Sequence, residues 1–256
     1  MQWATSEIGQ YPTSARFLMG RLRQAMSDEQ KQTIEEIVTD IATFPHGHKV
    51  QQRGQICDTS VLLIDGFMLR QIETEDGVST ISMQVPGDFV DLHAFALKRL
   101  DHDIVTVGKT QVAFCPHERL EEVVKQMPGL TRILWFSTML DAAMHRNWIL
   151  QLEQLPAAER VAFLFAEIDA RLRMVDLALD DGFDTPLTQA HLASMCGTSA
   201  VHMNRVLSEL AATDVVRFDR GRVTIPDRKR LQTYSRFEGS YLYGAGTLAI
   251  GTEPYA

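Results

Sequence analysis

The sequence predicts an α+β chain in three parts: a small antiparallel β unit behind N-terminal helices, one long helix, and a C-terminal pair of short helices followed by a hairpin. Three observations carry this. Between Pro45 and Pro116, short β-prone runs alternate with Gly, Asp and Pro turns. From Leu130 to Leu155 there is no Pro or Gly. Thr188 to Leu210 reads as a helix, a tight turn and a second helix.

At 256 residues and 45% hydrophobic, the chain has material for a sizeable core in one or two domains. No apolar run approaches the roughly 20 residues that a bilayer span needs. Met1 to Glu7 lacks the basic start and apolar core of a signal peptide. A cytoplasmic protein without membrane contact is expected. The cysteines, Cys57, Cys115 and Cys196, are odd in number and far apart, which argues for reduced, buried thiols.

The N-terminal part, from about Ser14 to Phe44, reads as helical on Leu18, Leu22, Met26, Ile34, Ile37, Val38 and Ile41. Ser27 breaks the run and caps a second helix, with Gln30 completing a capping box. The β runs follow: Val61–Ile64 before Asp65-Gly66, Phe67–Ile72, Ser79–Val85 before Pro86-Gly87-Asp88, then Ile104–Val107 and Gln111–Phe114. They suggest a small barrel or jelly roll.

Pro128 suits the first position of the long helix. Twenty-six residues run about 39 Å at 1.5 Å per residue. Ile133, Phe136, Leu140, Ala143, Asn147 and Leu150 step by 3 and 4, and Leu134, Met144, Trp148 and Leu152 widen the face. The preferred reading is a dimer helix with Asn147 setting the register, and burial against its own domain is the competing one. The chain divides accordingly into a sensor-like unit (1–127), a dimerisation helix (128–155) and a C-terminal domain (156–256).

In that last part, Val161, Leu164, Phe165, Ile168, Leu172 and Val175 mark an amphipathic helix. Thr188 is a good N-cap, Gly197 suits a sharp helix exit, and Ser199 caps again. Met203, Val206, Leu207 and Leu210 then form a buried face, which leaves Val201, His202, Asn204 and Arg205 outside. Arg and Asn are the side chains that bond bidentately to guanine and adenine in the major groove. Val215 to Ile225 alternates around a Gly turn, so it reads as a hairpin with Arg220 and Arg222 at its tip. Helix-turn-helix followed by a basic hairpin is the order of a winged helix. Pro186 to Arg236 holds eight Lys or Arg against four Asp or Glu, a net of +4 (8 − 4) in a chain of −8. A locally basic module on an acidic protein fits phosphate binding without indiscriminate nucleic-acid sticking. A short basic helix opens at Pro226-Asp227, and the Gly- and Tyr-rich tail from Glu238 is expected to be loose.

This order resembles the Crp/Fnr family of bacterial transcription regulators over nearly the whole chain. The closest motifs are Pro86-Gly87-Asp88-Phe89 and the run from Leu187 through Leu207, while Leu100–Asp103 and Phe237–Leu242 look like a sub-branch. The resemblance implies a cyclic-nucleotide-binding-like β-roll, a dimerisation helix and a C-terminal winged helix-turn-helix. It implies a homodimer on an inverted repeat of double-stranded DNA, with half-sites about 34 Å apart, and RNA polymerase as a partner. Val201, Asn204 and Arg205 would read bases. Thr188, Gln189, Ser199, His202, Arg220 and Arg222 would contact phosphates. Ile133, Phe136, Leu140, Ala143, Asn147 and Leu150 would form the dimer interface. Many members carry Glu where Val201 stands, so a different half-site is expected.

Departures concern the signal. Cyclic-nucleotide binders use a Gly-Glu pair and, about ten residues later, an Arg before Ser or Ala. Here the chain reads Phe89-Val90-Asp91-Leu92-His93 and then Asp103-Ile104, with Lys98 and Arg99 the nearest substitutes. A carboxylate near a phosphate repels it by about 1 kcal/mol or more, so cyclic nucleotide is not expected. No cysteine precedes Cys57, which argues against an iron–sulfur cluster. His46, His48, His93, His102 and His117 keep haem or metal open only formally. No cofactor is expected, and a small-molecule effector, if one acts, is unidentified. The enzyme alternative is a cupin-like metal oxygenase on His46-Gly47-His48, but Lys49 to Gln52 supplies no carboxylate ligand. No Ser-His-Asp set, P-loop or dinucleotide fingerprint occurs, and a non-enzyme is expected.

Overall fold

The computed structural model describes residues 2–75 and 77–244. Helix α1 (Gln2–Gln10) leads into a turn-rich segment ending in a short 3₁₀ helix, Arg23–Ala25. The helical expectation for 14–44 holds only in part. Leu18 and Gly20 have φ of 54° and 70°, values no α-helix accommodates. Helix α2 (Asp28–Glu36) starts as expected at a complete Ser27–Gln30 capping box. Beyond Ile37 the chain turns into strand β1 (Asp40–Phe44), where Ile41 is exposed.

Strands β2 (Lys49–Gln51), β3 (Thr59–Thr74), β4 (Gly77–Gln84) and β5 (Asp103–Pro116) form an antiparallel roll in the order β1-β5-β3-β4, with β2 also on β5. The four runs around Asp65-Gly66 and Gly108 are halves of two long strands. Register between β3 and β5 shifts on both sides of Asp65, and Gly66 and Gly108 take positive φ where the strands bend. A side chain on Gly66 would press on the Lys109 carbonyl.

Helix α3 (Ala94–Leu97) lies on the roll, and α4 (His117–Gln126) and α5 (Pro128–Gln154) follow it. After α6 (Ala157–Met174) come β6 (Gly182–Asp184), α7 (Gln189–Met195), α8 (Ala200–Ala212), β7 (Arg217–Asp219), β8 (Arg222–Thr224) and α9 (Arg228–Ser235). The small strands form a second sheet in the order β6-β8-β7. The tail expected to be loose packs as far as it is described. Leu242 is buried, Tyr241 donates to Glu167, and Glu238 caps Ser240 N–H at 3.1 Å. The rest of that expectation concerns 245–256, outside the described residues.

The roll interior is filled by Cys57, Val61, Leu63, Met68, Val90, Ala94, Leu100, Ile104 and Val112. The division at 127 and 156 does not divide the core. Phe67, Leu69, Met83, Val85 and Val107 of the roll share one apolar cluster with Val161, Phe165, Leu192, Met203 and Leu210.

Helix α5 spans the expected residues but turns a different face outward. Leu140 and Ala143 are buried, and Ile133 and Phe136 pack on the same cluster as Phe17, Leu62 and Leu120 of the chain's own body. Asn147 Nδ2 donates to the Ala143 carbonyl at 3.1 Å. Of the six positions assigned to the dimer interface, Leu150 alone is exposed. The long apolar row is the one the roll takes. Trp135, Met139 and Ile149, at 63%, 50% and 66% exposure, form the unpartnered row. No helix among the described residues is long and apolar enough to cross a membrane.

Candidate nucleic-acid interface

Two helix starts build this surface. Thr188 and Ser199 sit in extended backbone just before α7 and α8. Each side-chain oxygen accepts from the backbone N–H three residues on, His191 at 3.3 Å and His202 at 3.2 Å. His191 completes the first cap, because Thr188 N–H donates to its Nδ1 at 3.2 Å. Gly197 ends α7 at φ 57° and Ser199 restarts the helix two residues later.

The buried side of the pair is Leu192, Ala193, Met195, Met203, Val206, Leu207 and Leu210. Val201, His202, Asn204 and Arg205 face solvent, with Val201 68% exposed. Asn204 Nδ2 donates to Gln189 Oε1 at 3.4 Å across the turn, so the amide already has a defined direction. Arg205 enters none of the ion pairs among the described residues. The start of α8 adds oriented N–H groups and partial positive charge beside it.

The wing turns at Arg220-Gly221, with φ of 46° and 86°, the paired positive values of a type I′ hairpin. Thr185 N–H donates to the Gly221 carbonyl at 2.7 Å, and a side chain on Gly221 would collide with the Thr185 carbonyl. Arg220 projects from the tip, its side chain 93% exposed. Arg222 does not project with it. It lies on the central strand β8 opposite Asp184 of β6, and it pairs with Asp184 at 3.3 Å and with Asp181. This geometry favours Arg222 less than Arg220 as a phosphate contact, since Asp181 and Asp184 already balance its charge.

Other cations of the module are similarly engaged. Arg217 pairs with Asp214 at 2.6 Å, Arg228 with Asp169 at 2.9 Å and Arg236 with Glu159 at 3.1 Å. With Arg222, that accounts for four of the eight. Arg205, Arg220, Lys229 and Arg230 carry the uncompensated positive charge, Arg220 only loosely near Asp219 at 3.9 Å.

In the roll, the side chains singled out in the sequence are tied up locally. Asp103 accepts from Arg53 N–H at 2.7 Å and pairs with Lys49 at 2.7 Å. Lys98 sits over the Phe95 ring, and Arg99 donates to the Gly54 carbonyl at 2.8 Å. His46 and His48 diverge: His46 Nδ1 accepts from Gly108 N–H at 3.2 Å, whereas His48 stacks on Phe44. Burial pushes the Cys115 and Cys196 thiols up to about 12. An apolar groove of about 780 Å³ runs between α3, α4 and α5, with Leu97, Val124, Trp135 and Met139 exposed in it. At its polar edge, burial and then the Arg70 guanidinium hold the His93 imidazolium down to about 4.

Comparison with known proteins fits this surface. Residues 159–234 match the family of Crp-like helix-turn-helix domains. The chain is 27% identical over 212 residues to the transcriptional activator protein FnrL of Cereibacter sphaeroides, covering 79% of this chain and 83% of that one. It is 25% identical over 153 residues to a "Probable transcriptional activator" of Rhizobium leguminosarum bv. viciae, covering 59% of this chain and 62% of that relative. Among solved structures, FixK2 from Bradyrhizobium japonicum superposes with a TM-score of 0.70 at 19% identity, over 77% of this chain and 97% of that one. The c-di-GMP responsive global regulator CLP of Xanthomonas campestris gives 0.60 at 16% identity, over 78% and 99%.

Proposed function

We propose that this chain, which is similar to Crp/Fnr regulators in its Crp-like helix-turn-helix domain and in its fold, is a transcription regulator of that type and binds an inverted-repeat operator as a homodimer. Two copies of α8 would enter successive major grooves, about 34 Å apart. The observation that carries this is the outer face of α8, where Val201, Asn204 and Arg205 are exposed on a helix whose other face is fully packed. Arg205 reads guanine through O6 and N7, and Asn204 assists. Val201 offers only an apolar contact, suited to a thymine methyl. Thr188, Gln189, Ser199, His202 and Arg220 hold the phosphates.

The dimer forms through Trp135, Met139 and Ile149, the apolar row of α5 that the chain's own roll leaves open. The partner's α5 then covers the adjoining groove. The two relatives' names call them transcriptional activators, which supports contact with RNA polymerase at promoters in the cytoplasm. We assign no cyclic nucleotide, iron–sulfur cluster or enzymatic activity. Asp103 is engaged by Arg53 N–H and Lys49, and His46 and His48 have different partners, Gly108 N–H and the Phe44 ring.

The test is Arg205→Ala on selected operator and on random DNA. A loss of about 1–3 kcal/mol on the operator, with one base position relaxed and random DNA little affected, is expected. Equal loss on both would refute the reading role.

A further inference from the structure

The Pro86-Gly87-Asp88 turn is one of the motifs that carry the resemblance, and its acid is engaged within the chain. Asp88 Oδ2 accepts from Val85 N–H at 2.9 Å and from Arg171 Nη2 at 2.5 Å. The turn itself is fixed to β3, since Gly87 N–H donates to the Leu63 carbonyl at 2.8 Å and Leu63 N–H to the Asp88 carbonyl at 2.9 Å. Gly87 has φ 96°, and any side chain there would collide with the Arg16 backbone.

Arg171 lies on α6, inside the matched helix-turn-helix domain, with only 3% of its side chain exposed. It also donates to the Met83 carbonyl of β4 at 3.0 Å and lies 3.7 Å from Glu167 one turn earlier. Glu167 in turn accepts from Tyr241, and Arg21 approaches the same cluster while donating to the Leu242 carbonyl at 2.8 Å. Helix α6 packs directly on α8 and α9, so its direction sets that of the recognition helix.

The reading module is also held to the body at α7, by Thr80 N–H to Ser194 Oγ at 2.9 Å and Trp148 Nε1 to the Met195 carbonyl at 3.2 Å, and past the end of α6 by Arg16 Nε to the Val175 carbonyl at 3.3 Å. Those contacts are hydrogen bonds to neutral groups, and among the described residues Asp88–Arg171 is the one ion pair that joins α6 to the roll. The shared apolar core resists separation, but apolar contact is non-directional and tolerates sliding. A charged, buried hydrogen-bonded pair has a set direction and length. We propose that Asp88 and Arg171 are positioning residues for DNA reading: they lock α6 to the roll and thereby set the separation and angle of the two recognition helices in the dimer.

This rests on the operator reading above, and the test separates the two. Purified full-length protein is titrated against its selected operator and against versions with the half-site spacing changed by one base pair, a shift of about 3.4 Å. Wild type should prefer one spacing; if it selects no operator at all, the DNA reading fails first. The variants are Asp88→Asn, which keeps shape and acceptor, and the double Asp88→Asn/Arg171→Met, which removes both charges of the pair. The expected result is a dimer that still binds DNA but whose spacing preference falls about fivefold, equivalent to a coupling of about 1 kcal/mol. Unchanged spacing preference in a folded variant would overturn the proposal. So would loss of the folded dimer in Asp88→Asn, because the pair would then be a folding determinant and not a positioning one.

Discussion

Helices α8 and α5 carry the same kind of apolar stripe and both bury it in the chain's own core, but they differ in what they leave outside: Asn204 and Arg205 on α8, a second apolar row on α5. On α8 the stripe Met203, Val206, Leu207 and Leu210 is core, and Arg205 and Asn204 on the complement face solvent. On α5 the regular row through Leu140 and Ala143 is also core, so the row left for a partner is the less regular one at Trp135, Met139 and Ile149. Periodicity finds the face a helix buries first, against its own chain. A surface for DNA or for a second copy is what remains after that burial.

The largest expected effect tests α5. Leu140→Ala should lower folding stability by about 2–5 kcal/mol in urea unfolding, because it empties a buried site in the chain's own core. Met139→Glu should leave the fold intact and dissociate the dimer in sedimentation. Dissociation by Leu140→Ala without loss of stability would return the interface to the inner row.

Next comes the ion pair on the inner side of α5. Arg70, 3% exposed, grips Asp141 at 2.7 Å. Burial raises the Asp141 pKa, but Arg70 together with His145 and His93 outweighs it and the net shift is downward. A carboxylate with a depressed folded-state pKa stabilises above its unfolded value, about 3.9, and loses that contribution as pH falls through the lower folded one. Asp141→Asn should therefore cost about 3 kcal/mol near neutral pH by leaving Arg70 buried without its partner. The gap to wild type should close below about pH 4. A gap independent of pH would mean that the charge is not what stabilises.

The smallest effect separates two arginines of the wing. Arg220→Ala should weaken all DNA sequences alike and reduce the salt slope by about 1. Arg222→Ala should leave that slope unchanged and loosen the wing, since its partners are Asp181 and Asp184. Equal salt effects would restore Arg222 as a phosphate contact.

Much of the backbone frame of the candidate surface was legible because its determinants are local. Thr188 and His191, Ser199 and His202, and Arg220-Gly221 act within three residues of one another. What escaped depends on distant partners. Arg222 and Asp181 are 41 residues apart, and Arg171 and Asp88 are 83 apart. Asp65-Gly66 and Gly108 announce turns, yet the pairing of β3 with β5 across both makes them bends. The outward face of α5 follows from what the roll covers, which no local pattern encodes.

Selection of bound DNA from a random pool by the purified full-length chain tests the central claim most directly. An enriched inverted repeat is predicted, with half-site centres about one helical turn apart and each half-site holding a guanine protected by Arg205. Enrichment of a single unrepeated site, or of no sequence at all, would contradict it.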